Sequence, residues 1–499
     1  MGCQPTTTYS LQRYGIRMLP HVDLNITMGF YFFPRGGSAQ VVRYLCRALA
    51  GTRWKPTLFA GSMGPLADNS NANQFFSDID CRSLDYSSAL DAWRDGADPM
   101  AVSDPMPASY EHKEGVPDRI FFDLDDAAYD RQVDSWSRFF SSNDSVEPDV
   151  VHLHHLTPMH EAIRRVWPSV PVITHLHGTE LKMLESPYDG PHRIAWGDRM
   201  RRWATDSARI VVVADHDRHL VQQLLPVDPA RVASIASGAD VDVFAPRARG
   251  ALGAANLWKR FLVDEPGGWQ PGRAEGSIRY DIGDLSAFND TDGRPVPVVL
   301  FAGRFMKFKR LQLLIEAHHL LRSTSTYRAV LVIAGGFPGE WEGEHPYDTV
   351  RRLGATGVFF VGWKNHHELA ELLNCSDVFA APSVEEPFGL VYLEAMASGV
   401  PPIGTTTGGP LSFINVDAAR PTGWLVPPDD VAATASALAE AVSDDAARSQ
   451  RGINAARFVR EHYSWSGSAK TFAALYEEVS AESRRSPSSR PDRPTIGVA

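Results

Sequence analysis

Short, continuously apolar runs separated by stretches of helical period set the rhythm of this chain. In the first half Leu24–Phe33 (LNITMGFYFF), Leu58–Gly61, Val150–Leu153, Pro171–His175, Arg209–Ala214 (RIVVVA) and Val232–Ile235 read as strands. In the second half Val298–Ala302, Ala329–Ala334, Val358–Val361, Val378–Ala381, Pro402–Ile403 and Gly423–Val426 do the same. Between them the apolar positions fall at helical spacing, as in Val41, Val42, Leu45 and Leu49, or in Leu311–Leu321, Glu368–Leu373 and Val431–Val442. Strands that are apolar on both faces and joined by helices predict parallel sheets covered on both sides, an α/β doubly wound arrangement.

With 499 residues the chain is too long for one core, and two domains follow. The first is expected over 1–245, completed by a helix at about 465–480, and the second over 298–462. Residues 62–117, rich in Asp, Ser, Asn and Pro, read as an irregular insertion, surface decoration or cover for a second substrate. Residues 246–297 read as a linker with a small ribbon around Ser277–Tyr280. Residues 1 to about 20 read as a loose lead-in and 483–499 as a disordered tail.

Composition narrows the partners. A net charge of -11 argues against nucleic acid or an anionic membrane. Cys3, Cys46, Cys81 and Cys375 are scattered without CxxC spacing, which suggests a reducing, cytoplasmic setting and no zinc ribbon. No apolar run spans a bilayer and no signal pattern opens the chain, so membrane contact is not required. The Met1-Gly2 start with Thr6 fits a loose myristoylation template and is read as coincidence.

Three stretches carry candidate chemistry. After the first strand, Pro34-Arg35-Gly36-Gly37-Ser38 leads into a helix, a layout that cradles phosphate but also serves as a plain tight turn. After Ala302, Gly303-Arg304 and then Lys309 place two cations at the carboxyl edge of a parallel sheet, where a diphosphate fits. Finally SVEEPFGLVYLEAMASGVPP offers Glu385 and Glu386 at a helix mouth near Phe388, and Glu394 further along on the side away from the apolar stripe. Free N–H groups for an anion and carboxylates for hydroxyls suit a sugar joined to a phosphate.

GRFMKFK together with EPFGLVYLEAMASGVP resembles the retaining family-4 glycosyltransferases of GT-B architecture, two Rossmann-like domains facing across a cleft. PRGG, ITHLHGTE (173–180), SGADVDVF (237–244), VGW (361–363) and GWLVPPDD (423–430) extend the likeness over nearly the whole chain except the insertions and tails. The resemblance implies that Glu386 faces the donor sugar and Glu394 the ribose, while Arg304 and Lys309 neutralise the diphosphate with N–H groups near Phe388, Gly389 and Leu390. It places Gly36, Gly37 and Gly303 by the phosphates, Gly362 by the base and His177 by the transferred sugar. Ser38, His175, Thr179 and Glu180 are the acceptor-side candidates, with His175 nearer the core. The co-substrate is then a nucleoside-diphosphate sugar, UDP or GDP, with no cofactor and same-face transfer.

Two features stay open at this point. His152, His154, His155, His160, His175 and His177 tempt a metal reading, but their spacing matches no ordinary zinc signature, so no metal is expected. Arg310 stands where the family often has Gly, either reshaping the loop or adding a third cation. HLHGTE, TTTGGP and GWLVPPDD resemble sugar transferases of actinobacterial small-molecule metabolism, which implies a sugar alcohol, a thiol or a natural-product core as acceptor. Polysaccharide or glycolipid assembly is the alternative, then a nucleotide-sugar 2-epimerase or a non-catalytic binder. A monomer or homodimer is expected.

Overall fold

The computed structural model describes residues 23–485, apart from 67, 69, 112–116, 143–145, 248–250, 325–326 and 418. The expected lead-in, Cys3, the Met1-Gly2 template and the tail beyond 485 lie outside the described residues.

The first domain is built on seven parallel strands: β1 (Leu24–Phe30), β2 (Trp54–Ser62), β3 (Cys81–Asp85), β4 (Val150–His154), β5 (Val172–His175), β6 (Arg209–Val212) and β7 (Val232–Ser234), in the order β3-β2-β1-β4-β5-β6-β7. The second has six: β8 (Val298–Ala302), β9 (Val330–Ala334), β10 (Val358–Gly362), β11 (Val378–Ala380), β12 (Pro402–Thr405) and β13 (Trp424–Val426), in the order β10-β9-β8-β11-β12-β13. Both are doubly wound α/β sheets, and the near-continuous apolar runs of their central strands follow from burial on both faces. β1 ends at Phe30, short of the expected Phe33, because the chain turns inward there. Tyr31 donates to Gln132 Oε1 at 2.5 Å and Phe33 is buried.

The C-terminal helix Trp465–Arg485 lies on the first domain. Trp465, Phe472, Tyr476 and Val479 share a core with Ile26, Phe30, Val42 and Leu45. It continues to Arg485, so the onset of the tail lies beyond the expected 483.

Two expectations are overturned. The 62–117 stretch is not decoration: its CRSLD segment is β3, paired with β2 at the sheet edge. An edge strand with one half-solvated face does not need a continuous apolar run, so periodicity alone conceals it. Met100, Met106, Ala108 and Tyr110 from the same stretch are buried, and Tyr110 donates to the Leu156 carbonyl at 2.7 Å. The 246–297 stretch is not a free linker either. It contains the helix Ala251–Lys259, and Trp258, Phe261, Leu262, Trp269, Ile278 and Phe288 sit in the second core. No ladder forms at Ser277–Tyr280. Instead the Tyr280 hydroxyl accepts the Phe360 N–H at 3.0 Å, carrying this segment along β10.

Candidate functional site

In doubly wound sheets, ligands bind beyond the carboxyl ends of the strands, where the strand order reverses. Here those switch points lie between β1 and β4 in one sheet and between β8 and β11 in the other. The four loops that leave them carry Arg35-Gly36-Gly37, His155, Gly303 to Lys309, and Ser383 to Glu386. The two sets meet across a cleft. Gly37 lies 3.9 Å (from its notional Cβ) from Leu390, Gly178 3.1 Å from Pro387, and Lys182 Nζ donates to the Glu385 carbonyl at 2.8 Å.

On the second-domain side, Lys309 Nζ and Glu386 Oε2 form an ion pair at 2.5 Å, their side chains only 12% and 8% exposed. The Glu386 loop is clamped from behind: Gly409 N–H donates to the Glu386 carbonyl at 2.7 Å and Val384 N–H to the Phe308 carbonyl at 2.8 Å. A Cβ on Gly408 would meet that Glu386 carbonyl at 2.6 Å, so TTTGGP is the backing of the acid's loop. The helix Leu390–Ala397 starts from Gly389 in the left-handed region at φ 94°, which leaves first-turn N–H groups aimed at the cleft beside Glu386. Phe388 is buried below them. Gly303, at φ 156°, turns the chain from β8 into the Arg304 loop, whose guanidinium is a third exposed and lies 3.6 Å from Glu111 of the first domain.

Glu394 departs from expectation. It does not occupy an open helix face, because this helix is covered on both sides, by the sheet and by the helix Asp445–His462. Only 6% of the residue is exposed, and burial, aided by Asp240, pushes its carboxyl up to about 8. Its Oε1 faces His366 Nε2 at 3.7 Å, and Nδ1 of His366 shares a 2.5 Å hydrogen bond with the Tyr44 hydroxyl of the first domain. Burial, then Arg43, pushes the His366 imidazole down to about 4, so it is neutral near pH 7. Gly362 sits at φ 71° at the end of β10, and its notional Cβ would run into the Gly267 backbone of the 246–297 segment.

Arg310 is resolved by geometry. It occupies left-handed backbone at φ 51°, where glycine is at home, and its guanidinium grips Asp429 through two contacts of 2.5 and 3.2 Å. Its third contact, from Nη1 to the Lys307 carbonyl at 2.8 Å, ties it to its own loop.

On the first-domain side, Gly36 (φ 71°) and Gly37 are exposed at the start of the helix Gly36–Leu49, with Ser38 half-buried behind them. His177 is half-buried; its Nε2 shares a 3.0 Å hydrogen bond with His154 Nδ1. Thr179 donates to Glu180 Oε2 at 3.2 Å. Glu180 itself is fully buried and is therefore a brace, not an acceptor contact: it accepts the His177 N–H at 3.0 Å and faces His155 Nδ1 at 3.3 Å. Burial alone would raise its carboxyl, but His155 and the surrounding N–H groups hold it below its ordinary value. Burial, then the neighbouring imidazoles, pushes His154, His175 and His177 well down, so the cluster is neutral. His175 lies in the core.

Sequence reasoning missed Tyr44, His366, Glu111 and Lys182. Each acts across the cleft, and contacts between segments hundreds of residues apart leave no periodicity to read. The NHHEL stretch after VGW was the one visible cue for His366, since Asn365 and Glu368 form a capping box that fixes its position at the helix start.

Residues 35–243 match a family model described as glycosyltransferase family 4, and residues 290–458 one described as glycosyl transferases group 1. A D-inositol 3-phosphate glycosyltransferase of Corynebacterium diphtheriae is 32% identical over 186 residues, 36% of this chain and 42% of that protein. One of Corynebacterium aurimucosum is 26% identical over 366 residues, covering 71% of this chain and 76% of the relative. The chain thus spans less than half of the first relative's length and about three quarters of the second's. Among solved structures, a sucrose-phosphate synthase of Thermosynechococcus elongatus superposes with TM-score 0.63 at 18% identity, over 92% of this chain and all of the other. Anabaena HepE, solved with UDP and glucose, gives 0.61 at 14% identity over 91% of this chain and 99% of its own. Together the two models cover β2 to β13 and the loops at both switch points, and on that footing the chain belongs to the family-4 glycosyltransferases of GT-B architecture.

Proposed function

We propose that this glycosyltransferase moves a sugar, with retention, from a nucleoside-diphosphate sugar (UDP or GDP) to a small hydroxylated acceptor of the sugar-alcohol type. The observation that carries the donor half is the Lys309–Glu386 pair at the β8/β11 switch point, facing the Gly36-Gly37 turn. The sugar alcohol rests on the names of the relatives, D-inositol 3-phosphate glycosyltransferases; a thiol or natural-product core is the wider class.

Breaking the glycosyl phosphate bond leaves an oxocarbenium-like carbon and a departing diphosphate. Lys309, Arg304 and the first-turn N–H groups at Leu390 would hold that developing charge, each charge-assisted bond contributing about 1.5–3 kcal/mol. Glu386 would accept from the sugar hydroxyls and Glu394 from the ribose. His177, neutral, would sit by the transferred sugar, and the departing phosphate would take the acceptor's proton on the same face. With two cations and a helix mouth on the diphosphate, the reaction needs no divalent metal there. Cysteines scattered without CxxC spacing favour a cytoplasmic setting, with the chain as monomer or homodimer.

The test is a thermal-shift panel of UDP-, GDP-, ADP- and dTDP-sugars, followed by turnover with inositol phosphates, inositol, and thiols. A true donor raises the melting temperature in proportion to its affinity. Product of inverted configuration, an epimer formed from the donor alone, or turnover that depends on added Mn²⁺ would each overturn the reading.

A further inference from the structure

A buried histidine cluster lies outside the chemistry above. β4 and β5 are neighbours, with His154 in register opposite His175. His152, two residues before His154, shares its face of the sheet. None of the three is more than 1% exposed. One ring nitrogen from each lies within 4.8 Å of those of the other two.

The hydrogen bonds around these rings leave one side of the cluster bare. His152 Nδ1 is engaged with the Tyr476 hydroxyl at 2.7 Å, and His154 Nδ1 with His177 Nε2 at 3.0 Å. Nε2 of His152, Nε2 of His154 and both nitrogens of His175 are buried without a partner. An unmet buried polar atom is costly, and natural cores rarely gather several in one place. A neutral imidazole carries one ring nitrogen with a lone pair, and each of the three rings has at least one nitrogen left bare.

We propose that His152, His154 and His175 form a buried site for a divalent transition cation of the zinc class. An all-imidazole donor set selects zinc, nickel, copper or cobalt over magnesium and calcium, which require oxygen. Tetrahedral binding at 2.0–2.1 Å places ligand nitrogens about 3.4 Å apart; the nitrogens here lie within 4.8 Å of one another, so binding would draw the rings together. Tyr476 and His177 supply what bound imidazoles need on their other nitrogen, a fixed partner that sets tautomer and orientation. The nearby anion is Glu180, buried and held ionised, bonded to the His177 N–H and facing His155. Because Tyr476 belongs to the C-terminal helix, the cation would fasten that helix to the sheet face beneath it. The site is separate from Lys309 and Arg304, and it stands whether or not the donor assignment holds.

The experiment uses tag-free full-length protein. Elemental analysis after purification should find about one zinc-class ion per chain. Protein stripped with a strong chelator should gain melting temperature on adding Zn²⁺. Co²⁺ should give the intense d–d absorption of a tetrahedral site. Tyr476→Phe, which removes only the partner of His152, should weaken Zn²⁺ binding about 10–100-fold, and His175→Gln should abolish the cobalt spectrum. Wild-type protein that neither retains metal, nor is stabilised by Zn²⁺, nor gives that spectrum would overturn the proposal; the bare nitrogens would then hold ordered water. Unchanged zinc binding in a folded His175→Gln protein would overturn it equally.

Discussion

The Lys309–Glu386 pair makes two opposed demands that a single experiment separates. At 2.5 Å, and at an effective dielectric near 20, the gross attraction is roughly 6–7 kcal/mol. Most of this offsets the loss of water, since the two side chains are 12% and 8% exposed. Removing one partner strands the other. Lys309→Met is therefore expected to destabilise the second domain by about 3 kcal/mol, the low end for a broken buried pair because some solvent remains. For a domain of this size that is a fall of roughly 6–12 °C in melting temperature. Glu386→Gln leaves a cation that can still reach water and should cost less. The double variant should recover much of the loss, a coupling of about 1–3 kcal/mol. Turnover should behave differently. Each single change removes a preorganised contact to donor or leaving group and should cost ~10²-fold or more, and the double variant should recover none of it. Differential scanning fluorimetry and steady-state kinetics on the four proteins give both cycles. Near wild-type turnover in both single variants would refute the site; recovery of turnover in the double variant would show that the pair is structural only.

Three further outcomes follow from the same geometry. Glu394 is an acid whose folded pKa, about 8, lies above its unfolded value; the stability it contributes is whole below about pH 4.5 and is lost as pH rises through 8. Wild-type melting temperature should thus fall relative to Glu394→Gln between about pH 5 and 9, while donor KM falls over the same range as the carboxylate forms; parallel curves would exclude the raised pKa. Tyr44→Phe removes the partner of the half-buried His366 Nδ1, and should raise donor KM several-fold with little change in kcat if the contact serves to hold the cleft shut; an unchanged KM would deny it that role. Gly362→Ala would drive a Cβ into the Gly267 backbone at φ 71°, and a loss of about 2 kcal/mol or more in thermal stability is expected; a neutral substitution would show the 246–297 segment to be loosely held.

What the sequence made legible was whatever repeats locally. Continuous apolar runs exposed most strands of both sheets, because parallel strands are buried on two faces and every side chain reports it. The second-domain half of the candidate site was legible for a similar reason: Gly303, Arg304, Lys309, Glu386 and Gly389 lie in two segments, each following its own strand. β3 was hidden because an edge strand may be half polar, and the 246–297 segment because its anchors, Trp258, Phe261, Trp269 and Phe288, follow no period and gain their meaning only against β10 and its neighbours.

The histidines sharpen this into a physical rule. Metal signatures in sequence rest on ligands close along one segment, and by that measure the spacing of His152, His154 and His175 is empty. In a parallel sheet, however, the nearest neighbour of a residue lies one strand across, beyond a crossover of a dozen residues or more. His154 and His175 are separated by a whole helix and yet are register partners. The same argument applies to the clasp of Tyr44, His366 and Glu394, where two domains supply a three-residue chain that neither domain's pattern contains. Sheet register and domain docking therefore create chemistry that spacing cannot announce. The position of Glu394, the proposed ribose contact, is consequently set as much by the first domain, through Tyr44 and His366, as by the helix that carries it.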